Sequence, residues 1–275
     1  MLIAQRRKTA VSLEFLIIDP QNDFSDAPGA ALPVPGASAD AARLAGLLDR
    51  LGERIDDIHV TLDTHQLLDI SHPMFWVDPE GRPPAPFTQI TVADVEEQRW
   101  RPVQPKFQQR ALDYVCALRD NHRYVLTIWP PHCLVGTWGH NVIPVVNAAL
   151  RRWEERRWAR VDYHIKGYNP WTEHYSAVQA DVPDPNDPST QINVRLIQTL
   201  EKADIVALSG QALSHCVANT VRDITDHFGE ESVRKLVLLE DTSSPVPGFE
   251  KVAYEFLTDM KRRGMRIVQS SEFLA

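Results

Sequence analysis

Ile205-Val206-Ala207-Leu208-Ser209-Gly210-Gln211-Ala212-Leu213-Ser214-His215-Cys216-Val217 is the stretch whose reading decides the fold. Its first four residues are an apolar run that predicts a buried strand, and Val217, Val221 and Ile224 then fall on one helical face. Strand, turn and helix in that order is the unit from which α/β sheets are wound. Ser214 is expected to cap the helix, which puts Cys216 in its first turn. A thiol there meets unpaired backbone N–H groups at the positive end of the helix dipole, and both favour thiolate, the nucleophilic form. The same N–H groups can hold an oxyanion. A buried structural cysteine would have the same local sequence, so the decision lies with the other stretches.

Outward from this unit the pattern repeats. Glu14–Asp19 is an apolar run ending in a carboxylate and broken by Pro20 and the polar Gln21-Asn22-Asp23, as at the carboxyl edge of a buried parallel strand. A helix is expected from about Ser38 to Leu51 and a second strand over Ile55–Leu62, which runs into Asp63-Thr64-His65. Trp76 to Pro105 is a long proline-rich excursion carrying Trp76 and Trp100, expected to be a functional lid or contact surface. Then come a helix from about Lys106 to Arg119, a third strand over Tyr124–Trp129, a helix over Asn141–Arg157 and a fourth strand over Val161–Lys166. A helix from about Ser189 to Lys202 leads to the fifth strand and Cys216. Leu236–Glu240 is the sixth strand, Glu250–Arg263 the last helix, and Met265–Val268 a terminal strand or extended tail. Such alternation predicts a mainly parallel six-stranded sheet in one α/β domain over residues 1–275, with an insertion at about 76–105.

Composition narrows the function. A chain of 275 residues is long enough for a substantial core, and its net charge of −8 argues against nucleic acid or an anionic membrane as partner. Three widely spaced cysteines make no disulfide framework, which points to a reducing compartment. The basic Arg6-Arg7-Lys8 is followed by no apolar signal core, and no run reaches the length of a membrane span. The expectation is a cytoplasmic protein whose partners are a small-molecule substrate and further copies of itself.

Asp19, Asp63, His65, Trp129, His132, Lys166 and Cys216 all fall at or just beyond the carboxyl end of a predicted strand, where open α/β sheets bind ligands. Cys216 needs a base. His215 is adjacent but points elsewhere from a helix start, whereas Asp19 ends a buried strand where desolvation raises a carboxyl pKa. Lys166 ends a strand at the same edge and is placed to pair with Asp19 and lower the thiol pKa. Asp63 and His65 alternate along an extended segment and so share a face. With His132 they make a three-ligand set suited to Zn²⁺, Mn²⁺ or Fe²⁺, and His72 is a further candidate.

These blocks together resemble the nicotinamidase branch of the isochorismatase-like cysteine hydrolases. The resemblance rests on Ile18-Asp19-Pro20-Gln21-Asn22-Asp23-Phe24, Asp63-Thr64-His65, Trp129-Pro130-Pro131-His132-Cys133 with Gly136-Thr137, Lys166-Gly167, Tyr175-Ser176-Ala177 and Gly210…His215-Cys216-Val217, in the family's order. It implies a Rossmann-like three-layer sandwich and an Asp19–Lys166–Cys216 triad. It also implies one divalent ion, zinc first, on Asp63, His65 and His132, and a substrate ring held by Phe24 and Trp129. A cis peptide at Gln211–Ala212 and an oxyanion hole from the Ala212 and Cys216 N–H groups complete the set. The implied activity is hydrolysis of a small aromatic carboxamide through a thioester. An N-carbamoyl or ureide substrate, and a ligand-binding relative without catalysis, are the alternatives.

Overall fold

Residues 11–275 are described in the computed structural model, so the basic Arg6-Arg7-Lys8 lies outside them. The apolar runs become β1 (Leu13–Ile18), β2 (Asp57–Asp63), β3 (Asp162–Lys166), β4 (Ile205–Gly210), β5 (Leu236–Leu239) and β6 (Arg266–Val268). They form one sheet in the order β6-β5-β4-β1-β2-β3, and every pairing is parallel. The chain starts in the middle at β1, moves out to β3, then returns to β4 on the other side of β1. Strand order therefore reverses between β1 and β4, which opens a crevice at their carboxyl ends.

Six longer helices accompany the sheet: α1 (Ala37–Leu51), α2 (Gln108–Asp120), α3 (Pro144–Arg157), α4 (Val194–Lys202), α5 (Ala218–Phe228) and α6 (Glu250–Arg262). Along β1 the side chains alternate. Phe15 and Ile17 join α1 and α3 in one core, while Leu16 and Ile18 join α4, α5 and α6 in the other. A strand covered on both faces reads as a continuous apolar run, as β1 does. The result is the expected three-layer sandwich. Among the described residues no helix is long and apolar enough to cross a membrane.

Two expectations are corrected. Tyr124–Trp129 is not a strand of the central sheet: only Leu126–Thr127 is extended, and it pairs antiparallel with Gln89–Ile90. Val125 faces solvent and Pro130-Pro131 follow, so this run lacks the two covered faces and continuous N–H groups that a central strand needs. The sixth place is taken by Arg266–Val268. The excursion at 76–105 is no structureless lid. It contains two short strand pairings and a helical turn, Val92–Glu96, capped by Thr91 and Asp94. With α2 it encloses a third core around Ile70, Trp76, Ile90, Val115 and Leu126. Trp76 is fully buried there and its indole N–H donates to the Ile70 carbonyl at 2.7 Å.

The helix expected from Asn141 starts at Pro144, whose missing N–H suits a first turn. Residues 141–143 are drawn instead against the loop after β1. Asn22 N–H donates to Asn141 O at 2.9 Å and Ile143 N–H to Pro20 O at 2.8 Å. Likewise α4 starts at Val194 rather than near Ser189, capped by Asn193, whose side chain accepts from Leu196 N–H.

Gly210 ends β4 directly opposite Ile18 with φ of +123°. A Cβ there would lie 1.9 Å from the Ile18 carbonyl oxygen. Gly210→Ala is therefore expected to lower stability by about 3 kcal/mol or more, through backbone strain and overpacking together. A urea melt checks this: the midpoint should fall with little change in slope, and an unchanged midpoint would contradict the close approach of β1 and β4.

Candidate active site

Three strands deliver the reactive groups to the crevice. Asp19 follows β1, Lys166 ends β3, and Cys216 lies in the turn Leu213–Val217 after β4. The peptide Gln211–Ala212 is cis, as the resemblance implied. The turn at Leu213–Val217 is a wide π-type turn with Ala212 at its extended N-cap and no side-chain cap, so Ser214 is not the cap expected. Because the turn starts before it, Ser214 sits inside; its Oγ lies 2.9 Å from His215 Nδ1 and accepts from Val246 N–H. Single π-turns of this kind occur often at functional sites.

Lys166 is the hub. Its Nζ lies 2.9 Å from Asp19 Oδ2 and 2.8 Å from Asp63 Oδ1. It donates to the His174 carbonyl at 2.9 Å and stands 3.6 Å from Cys216 Sγ. Burial disfavours its charge, but Asp19 and Asp63 outweigh that and hold it an ammonium, well above the usual lysine range. Asp19 sits at φ of +45°, a strained value that the site enforces. Its N–H donates to Thr61 Oγ1 at 3.0 Å, and the Thr61 hydroxyl donates to its Oδ1. Burial raises the Asp19 carboxyl against the pull of Lys166.

The expected thiolate is corrected. Burial pushes the Cys216 thiol well up; Lys166 opposes this, while Asp19 and Asp63 add to it. Burial thus favours the thiol form of Cys216, beside an Asp19 carboxyl whose pKa burial also raises. Cys133 is sealed in the core with its pKa also raised by burial, and Cys116 lies half-buried on α2.

Asp63 joins this triad to a second set. Its Oδ2 stands 3.1 Å from His65 Nε2 and 3.3 Å from His132 Nε2, and the ligand atoms of all three residues lie within 4.8 Å of one another. Each imidazole has its Nδ1 engaged: His65 with Asp69 Oδ2 at 3.0 Å, His132 with the Pro130 carbonyl at 2.9 Å, and His72 with the Leu67 carbonyl at 3.3 Å. With Nδ1 engaged by an outer acceptor, each ring turns its Nε2 edge inward, the second-sphere arrangement typical of metal ligands. His72 packs 5.2 Å from His65 and 5.7 Å from His132 between ring centroids. Its buried Nε2 has no hydrogen-bond partner. Burial, with His132 and His65 nearby, lowers its pKa to about 4, so it stays a neutral base. The two imidazoles and one carboxylate of His65, His132 and Asp63 fit a divalent ion, and His72 packs against them outside that 4.8 Å group.

A narrow, mostly apolar cleft leads to the sulfur, lined by Phe24, Leu32, Trp129, Tyr175 and Val246 among others, with Ala212 and Cys216 at its base. Trp129 is fixed by its indole N–H donating to Tyr175 Oη at 2.9 Å. Phe24 lies 5.4 Å from His132 between ring centroids. Neither Trp76 nor Trp100 lines the cleft; the excursion reaches it only through Phe87, edge-on to Trp129 at 5.7 Å. His215 is caged by Tyr124, Trp129, Tyr175 and Phe249. Burial lowers its pKa to about 3, so it remains neutral there.

Sequence reasoning missed several contributors. Gln21, read only as turn polarity, clamps the Asp63 backbone: it accepts from Asp63 N–H and donates to Asp63 O, both at 2.7 Å. Asp23 Oδ2 accepts from Cys133 N–H at 2.7 Å and so positions the segment after His132. Asp69 and Thr61 are ordinary polar residues by type. Glu173 lines the cleft with its buried Oε2 unpartnered, and its neighbour Tyr175 was noted without a role.

The open parallel sheet is a fold shared with nicotinamidases, pyrazinamidases and an isochorismatase family protein. The nicotinamidase/pyrazinamidase of Acinetobacter baumannii superposes with a TM-score of 0.65 at 20% identity, covering 97% of this chain and 100% of that one. The Pyrococcus horikoshii pyrazinamidase in complex with zinc gives 0.55 at 20% identity over 94% and 99%. The isochorismatase family protein of Desulfovibrio vulgaris gives 0.53 at 17% over 96% of each chain. No family model and no curated protein matches the sequence. At these identities the likeness is one of fold.

Thr61→Val keeps the shape but leaves Asp19 Oδ1 without that hydroxyl, while the Asp19 N–H keeps its bond to the Thr61 carbonyl at 3.2 Å. The expected cost is about 1–3 kcal/mol, that of orphaning buried polar groups, read as a lower urea midpoint. Wild-type stability in this variant would remove Thr61 from the support of Asp19.

Proposed function

We propose that the protein is a cysteine amidohydrolase of the nicotinamidase type, which hydrolyses a small aromatic carboxamide to the acid and ammonia through a thioester. The observation that carries this is the meeting of Asp19, Lys166 and Cys216 at one buried point, with Nζ 2.9 Å from the carboxylate and 3.6 Å from the sulfur. Asp19 takes the thiol proton as Cys216 Sγ attacks the carbonyl carbon. The tetrahedral oxyanion lies against the Ala212 and Cys216 N–H groups. Asp19 then gives its proton to the departing nitrogen, and ammonia leaves. In the second half Asp19 removes a proton from water, the oxygen attacks the thioester, and the sulfur recovers its proton. Lys166 stays cationic throughout and offsets whichever of the two partners carries negative charge.

Asp63, His65 and His132 would hold one divalent ion, with His72 as the candidate further ligand. Zinc is the proposed ion by analogy with the zinc-bound Pyrococcus pyrazinamidase, and Mn²⁺ and Fe²⁺ suit the same donors. When bound, such an ion supplies a Lewis-acidic centre beside the cleft. Charge supports it: Asp19, Asp63 and Asp69, when ionised, set three negative charges against one ammonium. Burial disfavours a protonated His65, yet Asp63 and Asp69 raise its pKa well above the usual value, so this place draws positive charge.

Phe24 and Trp129 both line the cleft, whose volume of about 20 Å³ has to widen for a flat ring to enter, and the unpartnered Glu173 Oε2 asks for a second polar group on the ligand. Burial raises the Glu173 pKa: in its protonated form it would donate to a ring nitrogen, and in its ionised form it would accept the extra N–H of a ureide, which keeps that substrate as the second reading. Ammonia release should rank nicotinamide or pyrazinamide first, benzamide next and aliphatic amides last. A carbamoyl or aliphatic substrate with the highest kcat/KM would transfer the assignment to the second reading. Cys216→Ala should reduce turnover by about 10³-fold or more, the order expected when a nucleophile is lost and only binding and oxyanion contacts remain. Turnover within tenfold of wild type would refute the thioester route. Asp69→Asn, which removes the carboxylate behind His65, should weaken metal affinity about 10–100-fold in a chelator competition.

A further inference from the structure

A second cluster sits at the opposite end of β2 from Asp63. His59 on β2 is almost completely buried, yet neither of its ring nitrogens has a hydrogen-bond partner. Its Nδ1 faces Asp162 Oδ2 at 3.4 Å, and His164 Nε2, also unpartnered, faces the same oxygen at 3.3 Å. The three ligand atoms lie within 4.8 Å of one another. Behind His59, Nε2 looks at Glu14 Oε2 at 3.4 Å, another buried atom without a hydrogen bond. Asn193 Nδ2 stands 3.5 Å from His164 Nδ1, too long to fix that ring's tautomer, and Arg195 Nη2 stands 3.6 Å from Asp162 Oδ1 at the surface.

These separations are longer than ordinary hydrogen bonds. They match the edge of a tetrahedron with metal–ligand bonds of 2.0–2.1 Å, which is about 3.3–3.4 Å. The construction also repeats that of the first set: one carboxylate oxygen faces two imidazole nitrogens, and a second carboxylate lies behind one of the rings. We propose that His59, His164 and Asp162 form a second divalent-cation site, with Glu14 orienting His59 from behind and a fourth position open on the side of the partly exposed Asp162. Two imidazoles and one carboxylate select a borderline ion such as Zn²⁺. The site joins the edge strand β3 to β2 where Asp162 lies in register with His59, so its role is structural.

The test is zinc content per chain after chelator stripping and reloading of the full-length protein, with His132→Ala reporting the first site. Wild type should hold two equivalents, His164→Gln one, His132→Ala one and the double variant none. Within the His132→Ala protein, zinc should raise Tm by several degrees, and His164→Gln should abolish that shift. Asp162→Asn, at a half-exposed side chain, must reproduce the loss if His164→Gln fails to fold. One equivalent that His164→Gln removes and His132→Ala spares would support this site while overturning the metal assignment at Asp63. Full wild-type zinc in both His164→Gln and Asp162→Asn, or no zinc and no Tm shift in His132→Ala, would overturn the proposal.

Discussion

One ammonium between two carboxylates holds the crevice together. Lys166 Nζ bridges Asp19 and Asp63 at 2.9 and 2.8 Å, at the ends of β3, β1 and β2. A buried ion pair is costly to desolvate and leaves a large penalty if one member is removed. Here each carboxylate has further support that offsets the cost: Thr61 bonds Asp19, and His65 and His132 face Asp63. The sulfur therefore meets a charge field fixed by three strands and not by mobile loops, which is the preorganisation that a developing oxyanion and a moving proton require.

Asp63 couples the two halves of the site. One oxygen belongs to Lys166 and the other to the imidazoles, so its rotation would disturb the triad and the ligand set together. Its backbone is clamped by Gln21 and its side chain is crowded by Gly167, where a Cβ would come within 2.9 Å of Oδ1 at φ of +81°. The burial that would protonate such a carboxyl is overcome by Lys166 and His65, which hold its pKa well below the usual range. Position and ionisation are thus set by different neighbours.

Much of this was legible in the sequence because it follows from position along strands. Asp19, Asp63, Lys166 and Cys216 were recognisable as strand-end residues, and periodicity fixes where strands end. What failed were inferences that needed the third dimension. The helix start at Cys216 promised a thiolate, but full burial outweighs the pull of Lys166. Tyr124–Trp129 has strand composition, yet the site in the sheet went to Arg266–Val268, since only pairing partners and covered faces decide that. Trp76 suggested a roof over the substrate and instead fills the core of its own lobe. Gln21, Asp69 and Glu173 were beyond reach for another reason: their importance lies in whom they touch, and residue type does not carry that.

β2 shows why such residues escape notice. Asp-Ile-His-Val-Thr-Leu-Asp alternates polar and apolar, the pattern of a strand with one face in water. Ile58 and Val60 do enter the core against α1 and α3. Beyond the exposed Asp57 the polar set is nevertheless just as deeply buried: His59, Thr61 and Asp63 are 3%, 0% and 2% exposed. Each therefore needs a specific partner to offset desolvation. Thr61 has Asp19, and Asp63 has Lys166 and two imidazoles. His59 alone has neighbours at 3.4 Å on both sides and no hydrogen bond to either. A buried face in which two of three polar groups are tightly satisfied makes the third, left at metal-ligand spacing, the member whose partner is a bound ion.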